Sequence, residues 1–189
     1  MDQPQPTRKL SVLIPRADID KRVQELGQQI RADYGDRPLY LVGILKGACV
    51  FLSDLARAIP GAVRFDFMGI SSYGRGKTSS GEVKVTKDLD MSLEGVDVLI
   101  VEDIVDTGVT LTYLAHVLQQ RRPRSIQIAA LLDKPSRRMR PVQVKYVGFT
   151  VPDQFVVGFG LDFAEDYRNL PDICLVEFEE APASAAAPA

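Results

Sequence analysis

The sequence has few of the residues that form disulfide frameworks or soft metal centres. Its 189 residues include two cysteines, Cys49 and Cys174, and a single histidine, His116. The cysteines lie far apart in apolar surroundings, so we expect buried free thiols in a reducing compartment and no disulfide. With no second histidine and no cysteine cluster beside it, His116 is expected to be a surface or packing residue.

Long apolar runs and a large net charge are also missing. No stretch is long enough to span a membrane, and the first residues lack the basic and apolar regions of a secretion signal, so a cytoplasmic location is expected. The net charge of -2 argues against a broad nucleic-acid-binding surface. The chain length and 46% hydrophobic residues fit one α/β domain.

Residues 96–118 combine a strand, an acidic corner, a turn and a helix. Residues 96–101 form an apolar run, broken only by Asp97, that is typical of a buried parallel strand. Glu102 and Asp103 stand side by side where this strand should end, and Asp106 follows. The Thr-Gly-Val-Thr turn of residues 107–110 then leads into a helical pattern. This order predicts a ligand site at the carboxyl end of a sheet.

The turn of residues 107–110 has the chemistry of a phosphate site. At a helix start, backbone N–H groups and the hydroxyls of Thr107 and Thr110 can point at one anion, and the helix dipole adds to the attraction. Gly108 lets the backbone approach closely. The segment is neither a Walker A loop, which ends in Gly-Lys-Ser/Thr, nor a dinucleotide fingerprint, which needs more glycines.

Carboxylates beside a phosphate need another ligand group to hold. Neutral sugar hydroxyls or a hard cation such as Mg²⁺ both suit Glu102 and Asp103. A ribose 5-phosphate matches the acids and the turn together. The alternative is that the acids serve only turn and N-cap chemistry.

The motif VEDIVDTGVTL (101–111) resembles the phosphoribosyl-pyrophosphate motif of type I phosphoribosyltransferases, and most closely that of the hypoxanthine (guanine) phosphoribosyltransferases. The resemblance spans roughly residues 10 to 177. It implies an α/β fold with a central, mostly parallel twisted sheet flanked by helices and a small hood. A single domain is expected over residues 1–180, with the hood from about 1–15 and 152–178. The Ala/Pro tail, 181–189, is expected to be disordered.

Apolar periodicity places the other elements along the chain. Strands are predicted over residues 10–14, 39–45, 63–70, 82–86, 125–132, 142–149 and 174–178. Helices are predicted over 17–32 and 50–58 and after residue 110. Residues 71–81, rich in Gly, Ser and basic groups, are predicted to be a loop.

The resemblance also implies a role for individual residues. Asp106 is the candidate general base, and Glu102 and Asp103 would bind ribose. The 5-phosphate would lie against Asp106, Thr107, Gly108, Val109 and Thr110. Pyrophosphate would meet Lys46, Gly47 and Arg168; in the family, the loop containing Lys46 often has a non-proline cis peptide. The purine would meet Lys134, Phe155, Val156 and Asp162, a lid would carry Ser72 and Tyr73, and Mg²⁺ would bind Asp162, Glu102 and Asp103.

The implied activity is transfer of the 5-phosphoribosyl group from phosphoribosyl pyrophosphate to hypoxanthine, and to guanine, in purine salvage. The family suggests a homodimer or homotetramer. A pyrimidine phosphoribosyltransferase is an alternative that should lack Lys134 and the Phe155 loop. A nucleotide-sensing regulator that binds RNA or DNA is a second, but such a protein needs a basic face or a helix-turn-helix.

Overall fold

The structure is a computed structural model that describes residues 8–72 and 83–178. Strands and helices alternate along the chain, as expected for a mainly parallel sheet. The elements are β1 (Arg8–Ile14), α1 (Arg16–Tyr34), β2 (Leu39–Leu45), α2 (Ala48–Ala58), β3 (Arg64–Ser72), β4 (Val83–Lys87), β5 (Asp97–Val105), α3 (Val109–Gln119), β6 (Ser125–Asp133), a 3₁₀ turn (Pro135–Arg137), β7 (Tyr146–Thr150), β8 (Val156–Val157) and β9 (Ile173–Phe178). No helix in these ranges is long and apolar enough to cross a membrane.

A six-stranded sheet with the order β4-β3-β2-β5-β6-β7 forms the centre of the fold. Every neighbouring pair is parallel except β3 and β4. From β2 the chain moves outward to β3 in one direction, and β5 then pairs on the other side of β2. The strand order therefore reverses between β2 and β5, and ligands bind at such a switch point, beyond the carboxyl ends of the strands.

Apolar side chains on both faces of the sheet explain the continuous hydrophobic runs of β2 and β5. On one face α1 and α2 bury Ile19, Leu26, Phe51 and Leu55 against alternate strand residues such as Leu41 and Leu99. On the other face α3 buries Leu111, Leu114 and Leu118 against Val42 and Ile100. Helices on both faces leave these strands no exposed side, so they carry no polar alternation.

A second, three-stranded sheet with the order β1-β9-β8 joins the two ends of the described chain. Strands β1 and β9 pair antiparallel from Arg8 opposite Phe178 to Ile14 opposite Ile173. This is the hood that the resemblance implied. The two-residue strand β8 lies within a stretch predicted as a loop, and it places Val156 opposite Leu175.

Two sequence-based expectations differ from the structure. Cys49 is exposed, because it lies in the first turn of α2 on the side away from the core, whereas Cys174 is buried as expected. Strand β7 begins at Tyr146, four residues later than predicted. The sequence assigned no role to Asp97, which interrupts an apolar run. In the structure it is fully buried at the amino end of β5, away from the ligand-binding end of the strands. There it is paired with Arg37 and Arg124 and accepts a 2.6 Å hydrogen bond from Ser125.

Candidate active site

The turn of residues 107–110 presents free backbone donors at the carboxyl end of β5. Gly108 adopts a left-handed conformation with φ 80° and is the N-cap of α3. Among the described residues, the amides of Gly108, Thr110 and Leu111 have no acceptor, while the Val109 amide donates to Thr107 Oγ1 at 3.4 Å. Three unpaired N–H groups at a helix N-terminus can bind an anion such as a phosphate.

The segment that follows β6 supports this turn from behind. Met139 and Arg140 donate their backbone N–H groups to the Thr107 carbonyl at 2.9 and 3.0 Å. A Cβ at position 108 would lie 2.7 Å from the Arg140 carbonyl oxygen and 3.0 Å from Val142. Gly108 is therefore required both for its positive φ and for close packing. Val142, which was predicted to be in a strand, packs behind the turn instead.

Glu102, which is buried, and Asp103, which is partly buried, place their carboxylates at the end of β5. Glu102 is only 7% exposed, and within the described chain its carboxylate accepts no hydrogen bond. Burial raises its pKa well above the usual value, and the neighbouring charge of Asp103 adds to the shift. Burial also raises the pKa of Asp103, although its own amide and that of Ile104 oppose this shift. Raised pKa values lessen the negative charge beside a bound phosphate.

The Glu102→Gln variant should change how stability depends on pH. Because the folded-state pKa of Glu102 is raised, the native state holds more protons than the unfolded state above about pH 4.3, so the free energy of unfolding falls as pH rises toward the folded-state pKa. The variant lacks this loss. The Tm of the variant relative to wild type should therefore increase between pH 4 and pH 8. The increase should be about 2–4 °C for each kcal/mol of unfolding free energy that wild type loses over this range.

Thermal unfolding in EDTA, with wild type and variant scanned at each pH, provides the measurement. Glu177→Gln is the control, because Glu177 is exposed in the hood sheet. A Tm difference between the variant and wild type that stays constant from pH 4 to pH 8 would show that burial does not raise the pKa of Glu102.

The loop of residues 45–47 joins β2 to α2 and packs directly on the acidic corner. The Leu45–Lys46 peptide is cis. A Cβ at position 47 would lie 1.6 Å from Asp103 Oδ2, and one at Gly160 would lie 2.2 Å from the Gly47 carbonyl oxygen. The loop is thus held between Asp103 and Gly160 with no room for a side chain at either glycine.

Two cations, Lys46 in this loop and Arg168 from a distant part of the chain, line the first cleft beside the acidic corner. Lys46 Nζ lies 2.7 Å from Glu165 Oε2. Arg168 Nη2 lies 2.8 Å from Asp162 Oδ1, and its Nη1 donates to the Gly160 carbonyl at 2.8 Å. Both cations belong to the predicted pyrophosphate set. The hydrogen bond from Lys46 lowers the pKa of Glu165.

The predicted purine residues meet beyond the ends of β6 and β8. Lys134 is 7% exposed and its Nζ donates to the Gln154 carbonyl at 2.5 Å. Phe155 is 46% exposed and packs edge-to-face on Phe163, with 5.2 Å between ring centroids. A half-exposed ring and a buried ammonium together suit a flat heterocycle with an acceptor on its edge.

Two clefts, of about 310 and 380 Å³, lie side by side at this edge of the sheet. The first contains the turn, Glu102, Lys46, Gly47 and Arg168, and the second contains Lys134, Phe155 and Val156. Both are lined by four residues, Asp103, Ile104, Asp106 and Asp162. A ligand that fills both clefts must therefore cross the wall that these four residues form.

Several contacts of the site were not found from the sequence. Arg137 lines the second cleft, with its Nε 3.0 Å from Asp106 Oδ1 and its Nη1 3.3 Å from Asp153 Oδ1. The basic residues around Arg137 favoured the interpretation that it lies on a solvated surface. Its position three residues after Lys134, at the ligand end of β6, could have indicated that it lies near the site. Glu165 was also missed, because a single exposed acid carries no pattern.

Some predicted residues are not brought to the clefts. Val109 begins α3, and its side chain lines neither cleft. Ser72 ends β3, but its side chain and all of Tyr73 lie outside the residues that the structure describes. In the ranges 8–72 and 83–178, no three His, Cys, Asp or Glu side chains are grouped so as to hold a metal ion by themselves.

Comparisons with known proteins agree with this geometry. Residues 16–164 match the phosphoribosyl transferase domain family. The chain is 52% identical over 162 residues to the hypoxanthine-guanine phosphoribosyltransferase of Bacillus subtilis, covering 86% of this chain and 90% of that one. It is also 49% identical over 168 residues to the bifunctional protein TilS/HprT of Listeria innocua. That aligned region covers 89% of this chain but only 26% of the Listeria protein.

A solved structure gives the same result. The crystal structure of a hypoxanthine phosphoribosyltransferase from Staphylococcus aureus superposes with a TM-score of 0.85 at 49% identity, covering 88% of this chain and 91% of that chain. The family match, the sequence identity and the shared fold together show that this chain belongs to the phosphoribosyl transferase family and, within it, to the hypoxanthine-guanine phosphoribosyltransferases.

Proposed function

We propose that this chain transfers the 5-phosphoribosyl group of phosphoribosyl pyrophosphate to hypoxanthine and guanine in purine salvage, releasing pyrophosphate. The observation that carries the proposal is the pair of clefts that share Asp103, Asp106 and Asp162. One cleft has the donors for a sugar phosphate and pyrophosphate, and the other has an ammonium and an aromatic ring for a base. The atoms that react would meet at the shared wall.

The turn and the acidic corner divide the ribose 5-phosphate between them. The amides of Gly108, Thr110 and Leu111 would hold the phosphate. Glu102 and Asp103 would accept hydrogen bonds from the ribose hydroxyls, and Glu102 in its protonated form could also donate one. The sugar is thereby oriented with its reactive carbon toward Asp106.

In the reaction, the bond between the sugar C1 and the pyrophosphate oxygen breaks, and its electron pair leaves with pyrophosphate. A purine nitrogen forms the new bond to C1, and its proton passes to the Asp106 carboxylate. Lys46 and Arg168 would stabilise the charge on the departing pyrophosphate. Carboxylates near the sugar ring suit the positive charge that develops there, as in glycoside chemistry.

Mg²⁺ is the proposed cofactor, held by Asp162 together with Glu102 and Asp103. The fit rests on the donor set, because these are hard oxygen ligands, and neither the buried Glu102 nor the partly buried Asp103 is paired with a cation in the described residues. Mg²⁺ commonly binds one or two carboxylates and completes its shell with water and substrate phosphates. When bound, it would neutralise pyrophosphate oxygens.

Lys134 supports a 6-oxopurine as the base. An ammonium has only donors, so it accepts a 6-oxo group and disfavours the 6-amino group of adenine. Phe155 lines the same cleft, and its half-exposed ring is free to stack on a flat base. Because a pyrimidine phosphoribosyltransferase was expected to lack both features, their presence in one cleft favours a purine.

The Lys134→Gln variant should lower kcat/KM for hypoxanthine about 10- to 100-fold, since a hydrogen bond from a charged donor is worth about 1.5–3 kcal/mol. The KM for phosphoribosyl pyrophosphate should change much less, because Lys134 lines only the second cleft. Steady-state kinetics with each substrate varied separately measure both effects. Lys145→Gln, an exposed lysine paired with Asp33, is the control. Unchanged hypoxanthine kinetics would remove Lys134 from base recognition.

The proposed activity is tested by incubating the chain with phosphoribosyl pyrophosphate and each nucleobase, with and without Mg²⁺. Formation of IMP and GMP, but not of AMP or a pyrimidine nucleotide, supports the proposal. Product from a pyrimidine alone, or no product from any base, contradicts it. Filter binding with RNA, with and without nucleotide, tests the regulator alternative.

The resemblance also supports a cytoplasmic enzyme that forms a homodimer or homotetramer and binds no nucleic acid. The free thiols Cys49 and Cys174 fit a reducing compartment. Light scattering coupled to size exclusion measures the oligomeric state directly.

A further inference from the structure

We propose that Glu165 is an internal competitor of pyrophosphate, occupying the two cations of the pyrophosphate site until substrate arrives and returning to them when product leaves. The inference rests on the proposed function. It adds an acid that sets pyrophosphate affinity and lies outside the substrate-binding set described above.

The contacts of Glu165 point to this role. Its Oε2 lies 2.7 Å from Lys46 Nζ, and its Oε1 lies 3.6 Å from Arg168 Nη2. Each oxygen thus faces a different cation, and those cations come from positions 119 and 3 residues away in the chain. A carboxylate that bridges Lys46 and Arg168 presents the same acceptor chemistry as phosphate oxygens.

The backbone holds this carboxylate in place. The Glu165 amide donates to Asp162 Oδ2 at 2.9 Å, and Phe163 and Asp166 pair their backbones across the turn. Glu165 has a φ of 73°, a conformation that non-glycine residues adopt only where the surroundings enforce it. The surrounding turn therefore fixes the position of Glu165 over the two cations.

Arg168 also has capacity for a further anion. Its Nε is buried without an acceptor in the described part of the chain, while its other nitrogens contact Gly160, Asp162 and Glu165. Lys46 and Glu165 are both about two-thirds exposed, so this ion pair is weak and a multiply charged anion can displace it. Glu165 should therefore weaken pyrophosphate binding modestly and favour its release.

The test is the Kd of inorganic pyrophosphate, with Mg²⁺, measured by calorimetry on the full chain. Glu165→Gln should lower this Kd about two- to fivefold, as expected for removal of an exposed ion pair. Glu165→Asn is a second charge-removing variant, since Asn tolerates a positive φ well. Asp166→Asn is the matched control. It removes one negative charge from the residue next to Glu165, and the Asp166 side chain forms no ion pair in the described residues.

Tighter pyrophosphate binding in both Glu165 variants, with no change in Asp166→Asn, supports the inference. Equal tightening in all three variants would show a general charge effect and overturn it, as would unchanged or weaker binding in the Glu165 variants. A wild-type assay with phosphoribosyl pyrophosphate and hypoxanthine separates the two levels. If wild type makes nucleotide but Glu165 variants bind pyrophosphate no better, this inference fails and the proposed function stands.

Discussion

The Asp106→Asn variant should lose about 10²- to 10⁴-fold in kcat, the usual contribution of a positioned general base. Asp106 lies in the wall shared by both clefts, where a purine proton must leave as the new bond forms. An amide cannot accept that proton. The KM for phosphoribosyl pyrophosphate should change far less, because backbone amides of the turn carry the phosphate. Steady-state kinetics with both substrates measure this division.

The control for this variant must account for Arg137, which pairs with Asp106 at 3.0 Å and with Asp153 at 3.3 Å. Asp153→Asn removes the second partner of the same guanidinium, and Asp153 lines neither cleft. Its kcat should stay near the wild-type value. If Asp106→Asn turned over as fast as wild type, Asp106 would take no part in the proton transfer.

The Gly47→Ala variant should lose roughly 100-fold or more in kcat/KM, because displacement of catalytic groups by about 1 Å has effects of that size. Gly47 has φ -58° and ψ -42°, so alanine fits its backbone. The damage comes from the new Cβ, which would lie 1.6 Å from Asp103 Oδ2 and must push apart the loop and the acidic corner. Stability should also fall, by about 1–3 kcal/mol.

Two further variants isolate this collision. Gly95→Ala adds a methyl group at φ 71° with no atom within 4 Å, so it strains the backbone but touches nothing, and activity should remain. In an Asp103→Ala background, Gly47→Ala should destabilise the fold less than in wild type, because the colliding carboxylate is gone. Thermal unfolding measures this coupling. Full activity of Gly47→Ala would contradict the packing described for this corner.

The sequence was sufficient to predict the sheet and most of its ligand edge. Apolar runs such as that of β5 indicate buried parallel strands, and the carboxyl ends of such strands must share one edge. The acids at the end of β5 and the turn residues that follow it could therefore be placed together without coordinates. Lys134 and Lys46 also follow strands, β6 and β2, but their roles in the site came from the family resemblance.

Contacts between residues far apart in the chain could not be predicted in this way. The pairs Lys46–Glu165 and Arg137–Asp153 depend on how two loops meet, and neither loop has a periodic pattern. The exposure of Cys49 depends on which side of α2 faces the sheet. The apolar residues around Cys49 in the sequence did not indicate that side. The fully buried Asp97 interrupts an apolar run, and only the structure shows its arginine partners.

A crystal structure of the chain with IMP would test the central claim most directly. The phosphate should lie within hydrogen-bonding distance of the amides of Gly108, Thr110 and Leu111, the ribose hydroxyls should meet Glu102 and Asp103, and the base should stack on Phe155. A phosphate bound anywhere else, for example between Lys46 and Arg168, would contradict the division of the site set out above.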